Sequence, residues 1–461
     1  MRYDFGIDQI RHHTHRYGKT RLQTLAGERR LLRRWEAGRG ALHAAVTTDI
    51  SVMKNWQLER LSQLVDHAYL STSLYNRIYR AVGFRPGDIQ SWSDFERLPI
   101  IGKDAFVNNF EEMLAFDKLH FDEYYLVRSS GSSGRIASVI RDENAVDMVA
   151  MYDMRQFERM MGGRFERSDW RYLIYIAAPV YSWMDGYYPI YAVSQDCDPE
   201  AIIAHLRHLR PKFISTFPSF LARLAARGIS LSQFGVQGIS TNSEPSTRQE
   251  RDKFQDIFDV KVLDEYSSEE LCHIASECEF GGYHIVEDNV YLEFREVPNT
   301  TSQSVIGTHI HNAAMPIIRY EQGDLVSTDS INSQCPCGSC FRKLQLVVGR
   351  SDDRLVSKVK GAVPSDVLMS IYDSTLISKG SGISELQIVQ LDHATIELYI
   401  VPDKREARLD AQALESFRNK MKECFGDCDL AITHRIVDEL PRWSSHKRRM
   451  IVNRIGLSPV P

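Results

Sequence analysis

Residues 212–225, Lys-Phe-Ile-Ser-Thr-Phe-Pro-Ser-Phe-Leu-Ala-Arg-Leu-Ala, open with a short apolar run that reads as a buried strand, Lys212 to Thr216. A helix is predicted directly after it, with Pro218 in the first turn and Ser219 through Arg227 as its body. Proline suits that place because its missing N–H would have no partner within the helix. The pattern then repeats: a strand is expected at Val236 to Thr241, a helix at Pro245 to Ile257 and a strand at Val260 to Tyr266. Strands and helices alternating across short connections predict parallel βαβ units. In such sheets ligands bind beyond the carboxyl ends of the strands. The loops Ser215–Pro218, Thr241–Pro245 and Glu265–Glu270 lie at those ends and mark a candidate site before any motif is considered.

Toward the N-terminus the chain reads as helical, with apolar residues at three- and four-residue spacings in Arg29–Trp35 and Leu58–Tyr69. From Arg16 to Arg39 there are eight Lys/Arg against two acidic residues, a solvated helix face or a docking surface for an acidic partner. His12, His13 and His15 read as surface residues. After about residue 350 the texture changes. A hairpin is expected around Leu391–Ala394, then an amphipathic helix at Ala411–Phe425 and a strand at Ala431–Val437. These predict a separate α+β domain from residue 351 to 461, behind a large domain spanning 1–350, with the boundary in the polar stretch Gly349–Asp353.

The 461 residues carry 56 Lys+Arg and 61 Asp+Glu, a formal net charge of −5. That balance gives no global basic field for nucleic acid. The longest apolar stretch, Tyr172 to Met184, is broken by Pro179 and Ser182 and is too short to cross a bilayer. No membrane association is expected, and the start of the chain lacks the apolar core of a secretory signal, so a cytoplasmic location is predicted.

The sharpest local feature is Arg128-Ser-Ser-Gly-Ser-Ser-Gly-Arg135, whose small residues let backbone amides and hydroxyls close around an anion. No Gly-Lys-Ser/Thr closes it, so it is not the loop of the P-loop NTPases. Nor does it fit Gly-x-Ser-x-Gly. Taken with the motifs that follow, it resembles the phosphate loop of the adenylate-forming enzymes, specifically the phenylacetate–CoA ligase family. Asn242-Ser-Glu-Pro245 resembles that superfamily's adenine segment, and Tyr266-Ser-Ser-Glu-Glu270 is similar to its Tyr-Gly-x-Ser/Thr-Glu. Arg319–Asp324 resembles Tyr-Arg-Thr-Gly-Asp, Gly349–Asp352 the hinge motif, and Leu440–Lys447 the C-terminal motif that ends in the catalytic lysine. Leu98–Lys103 resembles the family's Leu-Pro-x-x-x-Lys. The resemblance runs from about Leu58 to Ile455.

The resemblance implies an α/β fold: a large N-terminal domain with mostly parallel sheets and a small mobile α+β C-terminal domain. It also implies roles. Ser129, Ser130, Gly131, Ser132, Ser133, Gly134 and Arg135 would cradle the phosphates of ATP. Ser243, Glu244 and Pro245 would lie along the adenine, with Tyr266 stacked on it. Asp324 would accept from both ribose hydroxyls with Arg350 nearby, and Glu270 would help to hold Mg2+. Lys447 would bridge the α-phosphate and the substrate carboxylate, carried by a domain that turns about Asp352. Ser267, Glu269, Gln322, His446 and the pair Arg135-Ile136 depart from the family pattern and crowd the adenylate and lysine loops.

Eight cysteines are too few for a disulfide scaffold, and three fall within Cys335–Cys340. Cys278, His284, Cys335 and Cys337 offer three thiolates and one imidazole, a closed set for structural Zn2+. Cys340 and the pair Cys272-His273 are competing ligands, and Cys424 and Cys428 read as packing residues. Tyr181, Trp183, Phe217 and Pro218 are expected to line an apolar acyl pocket, which agrees with the family's preference for aromatic acids.

The function expected is therefore ATP-dependent activation of a small carboxylic acid, expected to be aromatic, with pyrophosphate release and then thioester formation with coenzyme A. Two alternatives stay open: transfer to an amine or a carrier protein, and a non-catalytic nucleotide- or zinc-binding relative. A homodimer is a further open expectation.

Overall fold

The protein is described from a computed structural model, covering residues 25–118, 125–129, 136–167, 169–176, 184–298, 300, 302–350, 354–363, 365–377, 380–403, 409–441 and 449–455. The alternating run of the sequence forms one side of an eight-stranded sheet. In spatial order its strands are Lys343–Leu344, Tyr283–Ile285, Cys272–Glu277, Lys261–Ser268, Gly238–Asn242, Phe213–Thr216, Arg171–Tyr175 and Ile190–Ser194. The five from Lys261–Ser268 to Ile190–Ser194 are parallel, as the short βαβ connections require, and the remainder are antiparallel.

Helix boundaries follow local chemistry. Pro218 is the first residue of helix Pro218–Ala225, as expected. The next helix begins at Arg248, three residues later than the apolar pattern predicts. Thr247 caps it: its side chain accepts from the Glu250 backbone, while the Glu250 carboxylate accepts from Thr247 N–H. This reciprocal cap satisfies two end donors at once and overrides the periodicity.

A five-stranded sheet packs beside the first. Its central strand Ile317–Ser327 is flanked by Gln303–His309 and Leu346–Arg350, with Val290–Glu296 and Ile101–Gly102 completing it. Gly307 permits close packing there, since a Cβ would fall 2.1 Å from Leu271 Cδ1. Residues from Leu355 onward build their own core around a four-stranded sheet of Ala431–Ile436, Thr395–Pro402, Ile383–Gln390 and Ile451–Asn453. The expected hairpin is the antiparallel pair Ile383–Gln390 and Thr395–Pro402, and helix Ala411–Phe425 lies where the sequence predicts it. This part meets the rest through Lys253–Asp403 at 3.0 Å and the Tyr372 hydroxyl donating to Glu250 at 3.3 Å. Among the described residues no helix is long and apolar enough to cross a membrane.

Within the described part of the basic N-terminal stretch, Arg30, Arg34 and Arg39 are paired internally, and Arg16, Lys19 and Arg21 lie outside the described residues. Helix Leu25–Ala45 packs on helix Glu143–Met161. Arg30 and Arg34 bind Asp147, at 2.9 and 2.6 Å, and Arg39 and His43 bind Glu158, at 2.7 and 2.8 Å. Both carboxylates are buried, so the arginines compensate charges that the core would otherwise leave exposed to a low dielectric. The histidine trio lies outside the described residues.

Beneath the second half of the large sheet Arg251, Glu277, Tyr283, Thr241 and Asp264 form a buried polar network. Arg251 pairs with Glu277 at 2.7 Å, and Thr241 and Tyr283 both donate to Asp264. Burial pushes the Asp264 carboxyl up to about 7, against the pull of Arg251. A carboxyl raised in the folded state favours folding while protonated and loses that contribution as pH rises from near 4 through about 7. Asp264→Asn removes this dependence. Its melting temperature relative to the wild type is expected to climb between pH 4 and 7 and to level above, whereas a pH-independent difference would contradict the raised pKa.

Candidate adenylate site and metal centre

The carboxyl ends of the parallel strands converge with the five-stranded sheet. Tyr266, near the end of Lys261–Ser268, donates its hydroxyl to Asp324 Oδ2 at 2.8 Å. Gln322 Nε2 donates to the same Tyr266 oxygen at 2.6 Å. Gln322 and Asp324 share the strand Ile317–Ser327, and alternation puts both on one face of it. All three residues are buried, and the backbone of Arg350 pairs opposite Asp324. Gln322 thus holds the tyrosine hydroxyl that bonds Asp324.

The loop after Tyr266 is held from a neighbouring hairpin. Its strands Tyr125–Arg128 and Ser138–Arg141 are antiparallel, with Ser129 Oγ accepting from Ala137 N at 2.9 Å. From the base of that hairpin Arg141 reaches Glu269, bonding its backbone oxygen at 2.5 Å and its carboxylate at 3.1 Å. Arg141 was not legible as a site residue, because its partner lies 128 positions away. The pair explains why an acid stands at Glu269. Ser267 follows a β-bulge and does not adopt positive φ, so a glycine is not required there. Glu270 is buried beside the Tyr320 hydroxyl, at 3.4 Å.

Ser243 takes φ 67°, a left-handed conformation uncommon for a side-chain-bearing residue. Its hydroxyl bonds that of Tyr175, whose ring stacks on Phe217 at 4.8 Å with an interplanar angle of 2°. Glu244 accepts from Ser219 N at 3.1 Å, tying the loop after strand Gly238–Asn242 to the first turn of helix Pro218–Ala225. Phe217 and Pro218 are buried in the core beneath these strand ends, and Pro245 lies in the same loop as Ser243. Thr216 Oγ1 and Asn242 Oδ1, at two adjacent strand ends, are buried with no hydrogen-bond partner. Ser130, Gly131, Ser132, Ser133, Gly134, Arg135, Tyr181, Trp183, Asp352 and Lys447 lie outside the described residues, as does the Arg350 side chain.

The four metal-ligating candidates do come together. The donor atoms of Cys278, His284, Cys335 and Cys337 all lie within 4.8 Å of one another. Cys278 Sγ and Cys335 Sγ are 3.7 Å apart, and Cys337 Sγ is 3.2 Å from His284 Nε2. A tetrahedron with zinc–sulfur bonds of about 2.3 Å has edges of about 3.8 Å, so the spacing fits. His284 Nδ1 lies 3.0 Å from the Phe341 carbonyl, a contact that leaves Nε2 as the ligand atom. Two tight turns present the thiols, Cys278–Gly282 and Cys335–Gly338, each closed by a backbone bond and using positive φ at glycine. Of the competing ligands, Cys340 bonds the Ala45 carbonyl, and Cys272 and His273 belong to a different part of the sheet. Cys424 packs on the C-terminal core, whereas Cys428 is exposed.

No family model matches the chain. It is similar to the phenylacetate–coenzyme A ligase of Pseudomonas putida, 23% identical over 84% of this chain and 89% of the relative. The Escherichia coli phenylacetate–coenzyme A ligase is 25% identical over 89% and 91%. Among solved structures, a 2-hydroxyisobutyryl-CoA ligase in the postadenylation state superposes with a TM-score of 0.68 at 20% identity, covering 89% of this chain and 91% of that one. The architecture is therefore that of the adenylate-forming ligases, as the sequence predicts.

We propose that the Cys/His set holds one structural zinc ion. Metal analysis of the purified protein is expected to find about one equivalent, and Cys335→Ser with Cys337→Ser to lose it together with several degrees of melting temperature. A metal-free protein of unchanged stability would contradict the assignment.

Proposed function

From this fold and the similarity to phenylacetate–coenzyme A ligases, we propose that the chain, an adenylate-forming ligase, activates a carboxylic acid with ATP and transfers the acyl group to coenzyme A. The observation that supports the reading is that Tyr266 and Glu270, near the carboxyl end of one parallel strand, bond Asp324 and Tyr320 of the strand Ile317–Ser327. Their motifs are scattered over 59 positions of sequence, from 266 to 324, yet they converge beside the hairpin that carries the Ser/Gly loop.

In this reading the acid's carboxylate attacks the α-phosphate and pyrophosphate leaves. Positioning and charge stabilisation supply the catalysis. Residues 129–135 hold the β- and γ-phosphates, Asp324 the ribose hydroxyls, and Tyr266 the adenine, with Ser243, Glu244 and Pro245 along its edge. Arg350 lies near the ribose. Glu270 is the carboxylate suited to Mg2+, which when bound would neutralise phosphate charge. Lys447 bridges phosphate and carboxylate as charge develops. It sits on the smaller C-terminal domain, which turns about Asp352 between the two half-reactions.

An aromatic acid is the proposed substrate class, on the strength of the stacked Tyr175 and Phe217 at the strand ends together with Tyr181 and Trp183. Coenzyme A is preferred over an amine or a carrier protein. The curated relatives are coenzyme A ligases, and the basic N-terminal helix spends Arg30, Arg34 and Arg39 on internal carboxylates.

Two measurements test this. The wild type is expected to exchange labelled pyrophosphate into ATP only when a carboxylic acid is present, and to form a thioester once coenzyme A is added. Lys447→Ala is expected to lose exchange by about a hundredfold or more while still consuming preformed acyl-adenylate. No exchange with any acid would overturn the reading, and equal loss of both half-reactions would make Lys447 structural.

A further inference from the structure

Alternation along Lys261–Ser268 gives Glu265 the face opposite to Tyr266. On that face, beneath helix Glu143–Met161, a second group of ligating side chains converges outside the zinc set. The donor atoms of Asp153, Glu265 and His273 all lie within 4.8 Å of one another. Asp153 comes from the helix, Glu265 from a parallel strand, and His273 from the antiparallel strand Cys272–Glu277 beside it.

The cluster is held from behind. Arg171 contacts Asp153 Oδ2 at 3.3 Å and donates to Ser215 Oγ at 3.2 and 3.3 Å, with its guanidinium 3.9 Å above the Phe157 ring. His273 Nε2 lies 2.7 Å from Ser276 Oγ. In front, the pairing is incomplete. His273 is 3% exposed, and its Nδ1 has no hydrogen-bond partner. That nitrogen faces Asp153 Oδ1 at 3.7 Å, too far for a direct hydrogen bond. An oxygen or nitrogen atom placed about 2.8–3.0 Å from each would bridge the two.

The cluster lies on the sheet face of Tyr175, since Arg171, which contacts Asp153, and Tyr175 stand four apart on one strand. Glu265 pairs with Asn242, whose neighbour Ser243 bonds Tyr175. Asp153 keeps 18% of its side chain exposed, and Glu265 is only half-buried, although both lie between a helix and a sheet. Burial raises the Glu265 carboxyl. Burial also pulls the His273 imidazole down, but Glu265 and Asp153 outweigh it and hold it above its ordinary value.

We propose that Asp153, Glu265 and His273 form a polar subsite at the floor of the acyl pocket, built to take a hydroxyl or amino group carried by the acid. The inference rests on the ligase reading and narrows it to a substituted acid. Either group can donate to a carboxylate, and both bridge the gap at His273 Nδ1. A divalent cation suits the site less, because the Arg171 guanidinium already lies against Asp153. A site built to hydrogen-bond a substituent rejects the analogue that lacks it, since its own buried groups are then left unpaired.

The experiment compares pyrophosphate exchange with phenylacetate, its 3- and 4-hydroxy derivatives and its 3- and 4-amino derivatives. At least one substituted acid is expected to exceed phenylacetate in kcat/KM by about tenfold or more. Glu265→Gln and Asp153→Asn, each checked for an unchanged melting transition, are expected to shrink that ratio to within about threefold. The hydroxy and amino arms identify which substituent the subsite takes. Phenylacetate equal to or better than every derivative overturns the subsite while leaving the ligase reading intact, as does a ratio that survives both variants. A second metal equivalent beyond zinc, lost in Glu265→Gln, overturns it in favour of a cation site. Exchange with no acid removes both.

Discussion

The hydrogen bond from the Tyr266 hydroxyl to Asp324 joins two separately built sheets. Tyr266 ends a strand of the eight-stranded sheet, and Asp324 lies within the central strand of the five-stranded one. Both groups are buried, so a misfit between the sheets would cost a buried carboxylate one of its hydrogen bonds in a low dielectric. Gln322 and Arg141 reinforce the same seam from either side, the first on Tyr266 and the second on the loop that carries Glu270. In the proposed reading a nucleotide seated there would touch both sheets, and its binding would depend on their relative placement.

That dependence accounts for several departures from the family pattern. Glu269 replaces a hydroxyl residue and is paired with Arg141, while Gln322 replaces threonine and fixes the tyrosine. Each substitution comes with a partner on another element. The seam is thus supported from more than one element, and the acids Asp153 and Glu265 gather with His273 on the other face of the same strand.

Much of the parallel unit was legible in advance because its strands are short apolar runs bounded by Pro218 and by turn residues. The helix at Arg248 was misjudged by three residues because the Thr247–Glu250 cap competes with apolar periodicity. Cys278, His284, Cys335 and Cys337 could be read as a set because Cys/His spacing is rare and chemically narrow. Arg141, and the grouping of Glu265 and His273 with Asp153, could not. Arginine, glutamate and histidine at sheet positions look like surface residues until burial and a distant partner are known. The internal use of Arg30, Arg34 and Arg39 was hidden for the same reason, since Asp147 and Glu158 lie over a hundred positions away.

Titration calorimetry with ATP alone, comparing the wild type with Asp324→Ala, tests the seam most directly. The account predicts that the variant stays folded and binds ATP at least about tenfold more weakly, having lost the ribose acceptor and the partner of Tyr266. Unchanged ATP affinity in a folded Asp324→Ala protein would contradict it.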